Sequence, residues 1–168
     1  MAGIGFNASQ AWQPEVYVKY GIVNRIPCTV GQGYQGTFKN GTVVSITGNY
    51  QVNNTIIPPL GPVGIAVAQN QVDYTNPVNL SVSVMIPTPG AVVSLPVSCF
   101  ASDSTPDPGD PIYVTTQGVL TTTSTDSFNA SMASSIYPFA QCIASDQEYI
   151  DVIFPLVGQA SATAGSSK

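Results

Sequence analysis

Gly41-Thr-Val-Val-Ser-Ile46 and Gly109-Asp-Pro-Ile-Tyr-Val114 follow one pattern, a glycine leading into a strand-like run, and the likeness continues downstream of both. Pro62-Val-Gly-Ile-Ala-Val-Ala68 is answered by Pro138-Phe-Ala-Gln-Cys-Ile-Ala144, and Val78-Asn-Leu-Ser-Val-Ser-Val-Met-Ile-Pro87 by Gln147-Glu-Tyr-Ile-Asp-Val-Ile-Phe-Pro155. Each copy reads as a strand, a small-residue strand, an alternating strand and a proline stop. The repeats, 41–87 and 109–155, predict an all-β, compact barrel-like or sandwich-like body (41–157) built from two similar halves. Neither copy places catalytic side chains, which points to a scaffold that presents surface and not to an enzyme.

Composition agrees with that class. Of 168 residues, 43% are hydrophobic and 8% charged, with 15 glycines and 14 prolines, a β-rich and turn-rich make-up. Soluble monomers carry about 25% charged residues to keep their surfaces apart, so a chain this poor in charge is expected to spend surface on assembly. Lys19, Arg25 and Lys39 lie in the first 40 residues, whereas all the acids but Glu15 lie beyond them. Between Asn40 and Ser167 there is no Lys or Arg, which argues against nucleic acid as a partner, since that affinity comes from neutralising phosphates. The uneven charge reads either as chance or as a basic arm that docks on an acidic neighbour.

Residues 1–40 stand outside the repeat and read as an N-terminal arm or extension. They hold Trp12, Tyr17, Tyr20 and Tyr34, with Pro14, Pro27 and several glycines between them. Val16-Tyr-Val-Lys-Tyr20 alternates weakly; the aromatics either return to the body or meet a partner. Beyond Gly41, Leu80–Ile86 is the clearest strand, Ala91–Val97 a further one, Ser102–Pro111 the turn joining the halves, and Ile112–Thr115 with Val119–Thr123 a hairpin. A short helix is expected at most at Asn129–Ser135, and 158–168 reads as a flexible tail.

Chemistry is sparse. With no histidine, Ser-His-Asp and Cys-His arrangements are impossible. Cys28, Cys99 and Cys142 lack zinc or disulfide spacing and read as small buried hydrophobes, so no metal and no cofactor is expected. Asp107-Pro-Gly-Asp110 fits turn chemistry better than a carboxylate pair or a calcium loop. Asp146, Glu148 and Asp151 remain as a remote glycosidase option. Gly31-Gln-Gly-Tyr-Gln-Gly36 lacks the strand and helix of a nucleotide fingerprint. No 18 apolar residues run together and no secretory signal is seen, so the chain reads as soluble, made in the cytoplasm, with no membrane partner.

Pro108–Thr123, Phe139–Ala144 and Tyr149–Phe154, with Gly64-Ile-Ala-Val-Ala68 and Pro89-Gly-Ala-Val-Val-Ser-Leu-Pro96 upstream, resemble in matching order the capsid cement, or head decoration, proteins of tailed bacteriophages. The likeness spans about 41–155. Ala140 departs from it where the family favours glycine, and the first 40 residues are longer and more aromatic than a minimal member needs. The resemblance implies a non-enzymatic virion protein on the outer surface of the capsid, commonly a homotrimer, that holds neighbouring major capsid protein subunits together. Trp12, Tyr17, Lys19, Tyr20 and Arg25 are then the residues expected to meet the capsid. The alternative is a carbohydrate-binding β-sandwich or fibre-tip module whose exposed Tyr and Trp stack on sugar rings.

Overall fold

The computed structural model describes residues 15–57, 61–68, 76–130 and 138–155. Trp12, the tail at 158–168 and most of the short helix expected at Asn129–Ser135 lie outside them. Among the described residues eleven strands follow one another: β1 (Tyr17–Tyr20), β2 (Val23–Val30), β3 (Thr42–Gly48), β4 (Gln51–Asn53), β5 (Gly64–Ala68), β6 (Ser81–Pro87), β7 (Val92–Pro96), β8 (Pro111–Val114), β9 (Leu120–Thr121), β10 (Ala140–Ser145) and β11 (Tyr149–Ile153). Among the described residues, helix is confined to 3-10 turns at Val97–Cys99 and Ser124–Asp126. Strands β2-β4-β3-β5-β6 close into a barrel, and β1-β7-β11-β10-β8-β9 form a six-stranded sheet. The all-β body of two similar halves is what the chain forms.

Each half is one five-strand unit, and the unit begins earlier than the sequence repeat. Strands β2 to β6 are matched in chain order by β7 to β11, and the spatial order β2-β6-β5-β3-β4 by β7-β11-β10-β8-β9. The registers agree as well. Ile65↔Met85 and Ala66↔Val84 in the first unit correspond to Gln141↔Ile153 and Cys142↔Val152 in the second. Ser45↔Asn53 and Ile46↔Val52 correspond to Tyr113↔Thr121 and Val114↔Leu120. Gly41 N–H donates to the Ala66 carbonyl at 3.0 Å, and Gly109 N–H to the Cys142 carbonyl at 2.8 Å. Both glycines have positive φ, 93° and 101°, a conformation that costs a residue with a Cβ about 1–2 kcal/mol. The glycine that starts each repeat is therefore a backbone requirement.

The units differ in closure. In the first, β2 pairs in parallel with β4 at Thr29↔Gln51 and Val30↔Val52. In the second, the 3-10 turn at Val97–Cys99 intervenes after β7, and closure shrinks to one parallel bridge, Phe100↔Leu120.

The expected boundary at residue 40 needs correction, because β1 and β2 belong to the two sheets. Strand β2 pairs with β6 from Val23↔Pro87 to Thr29↔Ser81, and β1 pairs with β7. Pro27, which counts against a central strand, is tolerated for a geometric reason. Val30 N–H bonds the Leu80 carbonyl on the β6 side and Thr29 N–H bonds the Tyr50 carbonyl on the other. Backbone groups alternate sides along a strand, so Pro27 turns its missing N–H away from β6.

The interiors show compensating volumes. Cys28, Val30, Val44, Val52, Ala66 and Val82 line the first core, where the second has Leu95, Phe100, Ile112, Leu120, Cys142 and Ile150. Each replacement in the second unit is larger. The first recovers the volume with Tyr34 and Phe38 from the β2–β3 connection, their rings 5.8 Å apart. The turn bond Tyr34 N–H to Gly31 carbonyl is matched by Ser104 N–H to Ala101 carbonyl, so Ser104 holds the place of Tyr34. Close-packed interiors demand this kind of offset.

Val43, Ile56, Ile65 and Met85 on the barrel's outer wall join the second unit's core. The β8–β9 turn docks there, with Val43 N–H bonding the Gly118 carbonyl and Ile56 N–H the Thr116 carbonyl, each at 2.9 Å. Gly118 has φ 74°, and a Cβ on it would overlap the Val43 carbonyl. Gly118→Ala is expected to cost about 2–4 kcal/mol in equilibrium urea unfolding, backbone strain and overlap combined. Gly36→Ala, also at positive φ but with open space around it, is expected to cost only about 1 kcal/mol.

Candidate functional site

Strand β1 is the edge of the six-stranded sheet, and its neighbourhood concentrates exposed apolar surface. Tyr17 is 46% exposed, Val18 36%, Tyr20 70% and Ile22 68%. An edge strand offers unpaired backbone groups as well as side chains, so this strip can be extended by another chain. Such edges are commonly protected by a charged residue. Here the charge is Lys19, and it is engaged.

A register shift between Val18 and Tyr20 marks a bulge at Lys19, a device that re-aims a side chain. Lys19 Nζ lies 2.6 Å from Asp151 Oδ2 on β11, two strands away across β7. The Tyr17 and Tyr149 rings meet on the same face with centroids 5.5 Å apart. A hydrogen bond to Glu15, helped by one to Tyr149, pushes the Tyr17 hydroxyl up to about 12. The Asp151 hydrogen bond raises the Lys19 ammonium above its ordinary value. The acidic neighbour that a basic N-terminal segment would need is thus, for Lys19, Asp151 of the same chain.

Three of the carboxylates weighed for catalysis, Asp146, Asp151 and Asp110, are engaged in other bonds. Asp146 Oδ1 accepts the Tyr149 and Glu148 N–H groups, each at 2.7 Å, and these bonds hold its pKa below the usual carboxylate value. Asp151 pairs with Lys19, and Asp110 Oδ2 accepts the Asp107 N–H at 3.0 Å within its turn. Among the described residues no group of three or more Asp, Glu, Cys or His side chains comes together. Burial pushes all three thiols up, Cys99 to about 12. Cys99 Sγ donates to the Asn40 carbonyl at 3.3 Å. No described helix is long and apolar enough to cross a membrane.

Of the residues expected to meet a partner, Tyr17, Lys19 and Tyr20 come together on β1, and Trp12 lies outside the described residues. Arg25 sits exposed on β2 in the other sheet. It lines a groove of about 570 Å³ on the barrel wall with Pro27, Thr29, Tyr50, Ser81 and Ser83. Val18, Ile22 and Tyr50 are additions that sequence reading missed. Tyr50 takes φ 54° and is 68% exposed, at the hairpin position that Gly118 holds in the second unit. Aligning the hairpins of the two repeats is the signal that would have found it. No protein-family model matches the chain, and no curated protein sequence does either.

A spectrophotometric titration of the eight tyrosines is expected to show Tyr17 ionising near 12 and returning toward the ordinary tyrosine value in Glu15→Gln. Tyr17 and Lys19 both hold protons more tightly when folded. Their stabilising share is complete below the unfolded values near 10 and drains as pH rises through the folded values. The wild type is therefore expected to lose thermal stability between about pH 10 and 12 more steeply than a Tyr17→Phe, Lys19→Met double variant. Relief of the left-handed backbone makes Tyr50→Gly neutral to stabilising by up to about 1 kcal/mol in urea unfolding, net of the flexibility glycine gains when unfolded.

Proposed function

We propose that this chain is a structural virion protein, a cement protein that binds the outer surface of a tailed-phage head and bridges neighbouring major capsid subunits without catalysis. The observation that carries the reading is the open apolar edge of β1, where Tyr17, Val18, Tyr20 and Ile22 are exposed together on a chain with only 8% charged residues. Such a surface fits a partner better than it fits water. The segments that carry the family resemblance support it too, since they fall on β5, β7, β8, β9, β10 and β11, the strands of the duplicated unit. The capsid-facing set becomes Tyr17, Val18, Tyr20 and Ile22, with Arg25 on the adjoining barrel.

Burying an exposed Tyr or Ile side chain contributes about 1.5–3 kcal/mol, so one strip gives modest affinity. A homotrimer would present three such strips at once, and linked contacts on a repeating shell multiply occupancy by avidity. Tyr20→Ser combined with Ile22→Ser is expected to weaken binding to expanded heads at least tenfold while shifting the melting temperature by less than about 2 °C. Undiminished binding by that folded variant would overturn the reading. Electron microscopy of heads with bound protein would report whether it sits at threefold positions on the outer surface.

A further inference from the structure

The duplication lets each surface of one unit be compared with its counterpart in the other, and one comparison is unequal. In the second unit, β7 has β11 on one side and β1 on the other, through Tyr17↔Ser94, Val18↔Val93 and Tyr20↔Val92. Register carries these positions onto β2: Val92↔Ile153 corresponds to Arg25↔Met85, and Ser94↔Asp151 to Pro27↔Ser83. Strand β2 has β6 on one side, but on the other β4 reaches only Thr29 and Val30. Along Val23–Pro27 no described strand pairs with that side. Burial reports the same difference. Val92 and Ser94 are 6% and 3% exposed under β1, whereas Arg25 and Pro27 are exposed.

The alternation that turns Thr29 toward β4 also turns Val23, Arg25 and Pro27 to the open side. Arg25 thus presents both an N–H and a carbonyl there, and Pro27 a carbonyl, the pattern an added antiparallel strand reads. The side-chain floor corresponds too. Tyr17 and Lys19 of β1 lie over Tyr149 and Asp151, whose counterparts on β6 are Ser81 and Ser83. Those smaller residues floor the groove of about 570 Å³, with Tyr50 on its wall. Where the occupied seat carries Asp151 to receive a lysine, the groove's lining among the described residues holds Arg25 and no acid.

We infer that Val23–Pro27 of β2, which no other described strand pairs on that side, is a strand-acceptor site for an extended segment of a partner protein, one that places an aromatic side chain over Ser81 and Ser83 and an acidic side chain beside Arg25. The missing aromatic volume is that of Tyr149, and the charge is complementary to Arg25. Left-handed strain at exposed Tyr50, on the wall of the same groove, fits a residue held for contact and not for the hairpin. The acceptor is a property of the barrel and requires no capsid.

The test uses the full chain and a terminally blocked peptide of residues 15–21, the stretch that fills the counterpart seat, in its natural form and carrying Lys19→Glu. The Lys19→Glu peptide is expected to bind the wild type about fivefold more tightly than the natural peptide, the scale of one partly exposed ion pair. Arg25→Glu is expected to reverse that order, and amide resonances of Val23 and Arg25 are expected to shift while those of Val92 and Ser94 stay. No binding by either peptide, binding without charge preference, or shifts confined to β7 would overturn the inference.

Discussion

Everything in this chain leans on the seam where the β8–β9 turn rides on the barrel. Val43, Ile56, Ile65 and Met85 lie on the outer wall of a closed barrel, where side chains ordinarily meet water, yet all four are fully buried. Strand β6 therefore buries both faces near Met85, with Val84 facing the barrel interior and Met85 the neighbour. The Gly118 carbonyl bonded to the Val43 N–H fixes how the units meet. A single hydrophobic cluster continues from the wall of one unit into the heart of the other, so the two units form one folding body.

A contact in which one unit's turn docks on its twin's wall is heterologous, and repeating such a contact builds open chains. Divergence stops that growth here. In the second unit the wall positions matching Val43, Ile56, Ile65 and Met85 are Pro111, Ser124, Gln141 and Ile153, all at least partly exposed. A third unit would find a proline, a serine and a glutamine in place of three buried aliphatics.

The repeat was legible because its signals are local: a glycine at the start of each copy, alternation along β6 and β11, prolines at the stops. Strand β2 was not, because its outward positions Arg25 and Pro27 dilute the pattern and only Ile26, Cys28 and Val30 point inward. Whether Pro27 breaks a strand depends on which side its N–H faces, which is set by pairing and not by the residue. Tyr34, one of the aromatics that either return to the body or meet a partner, returns, and with Phe38 it fills the barrel in place of larger strand residues. The β1 site was half legible. Its residue types stood out in sequence, but the contacts that orient them, Tyr17 with Tyr149 and Lys19 with Asp151, reach across most of the chain. Tyr50 shows in the sequence only when the two hairpins are aligned and it falls where the second has Gly118, and its backbone angle shows why that matters.

Chain order gives the barrel and the edge strand different histories during synthesis. All strands of the barrel lie between Val23 and Pro87, so its pairings need no strand of the second unit, although Val43, Ile56, Ile65 and Met85 on its wall are buried in a cluster with that unit. Strand β1 precedes them, yet its only pairing partner among the described strands is β7, and Lys19 waits for Asp151, 132 residues later. Such separations make a contact slow to form. Strand β1 can therefore pair once β7 is made, while Tyr17 and Lys19 wait for Tyr149 and Asp151 on β11 to complete their contacts.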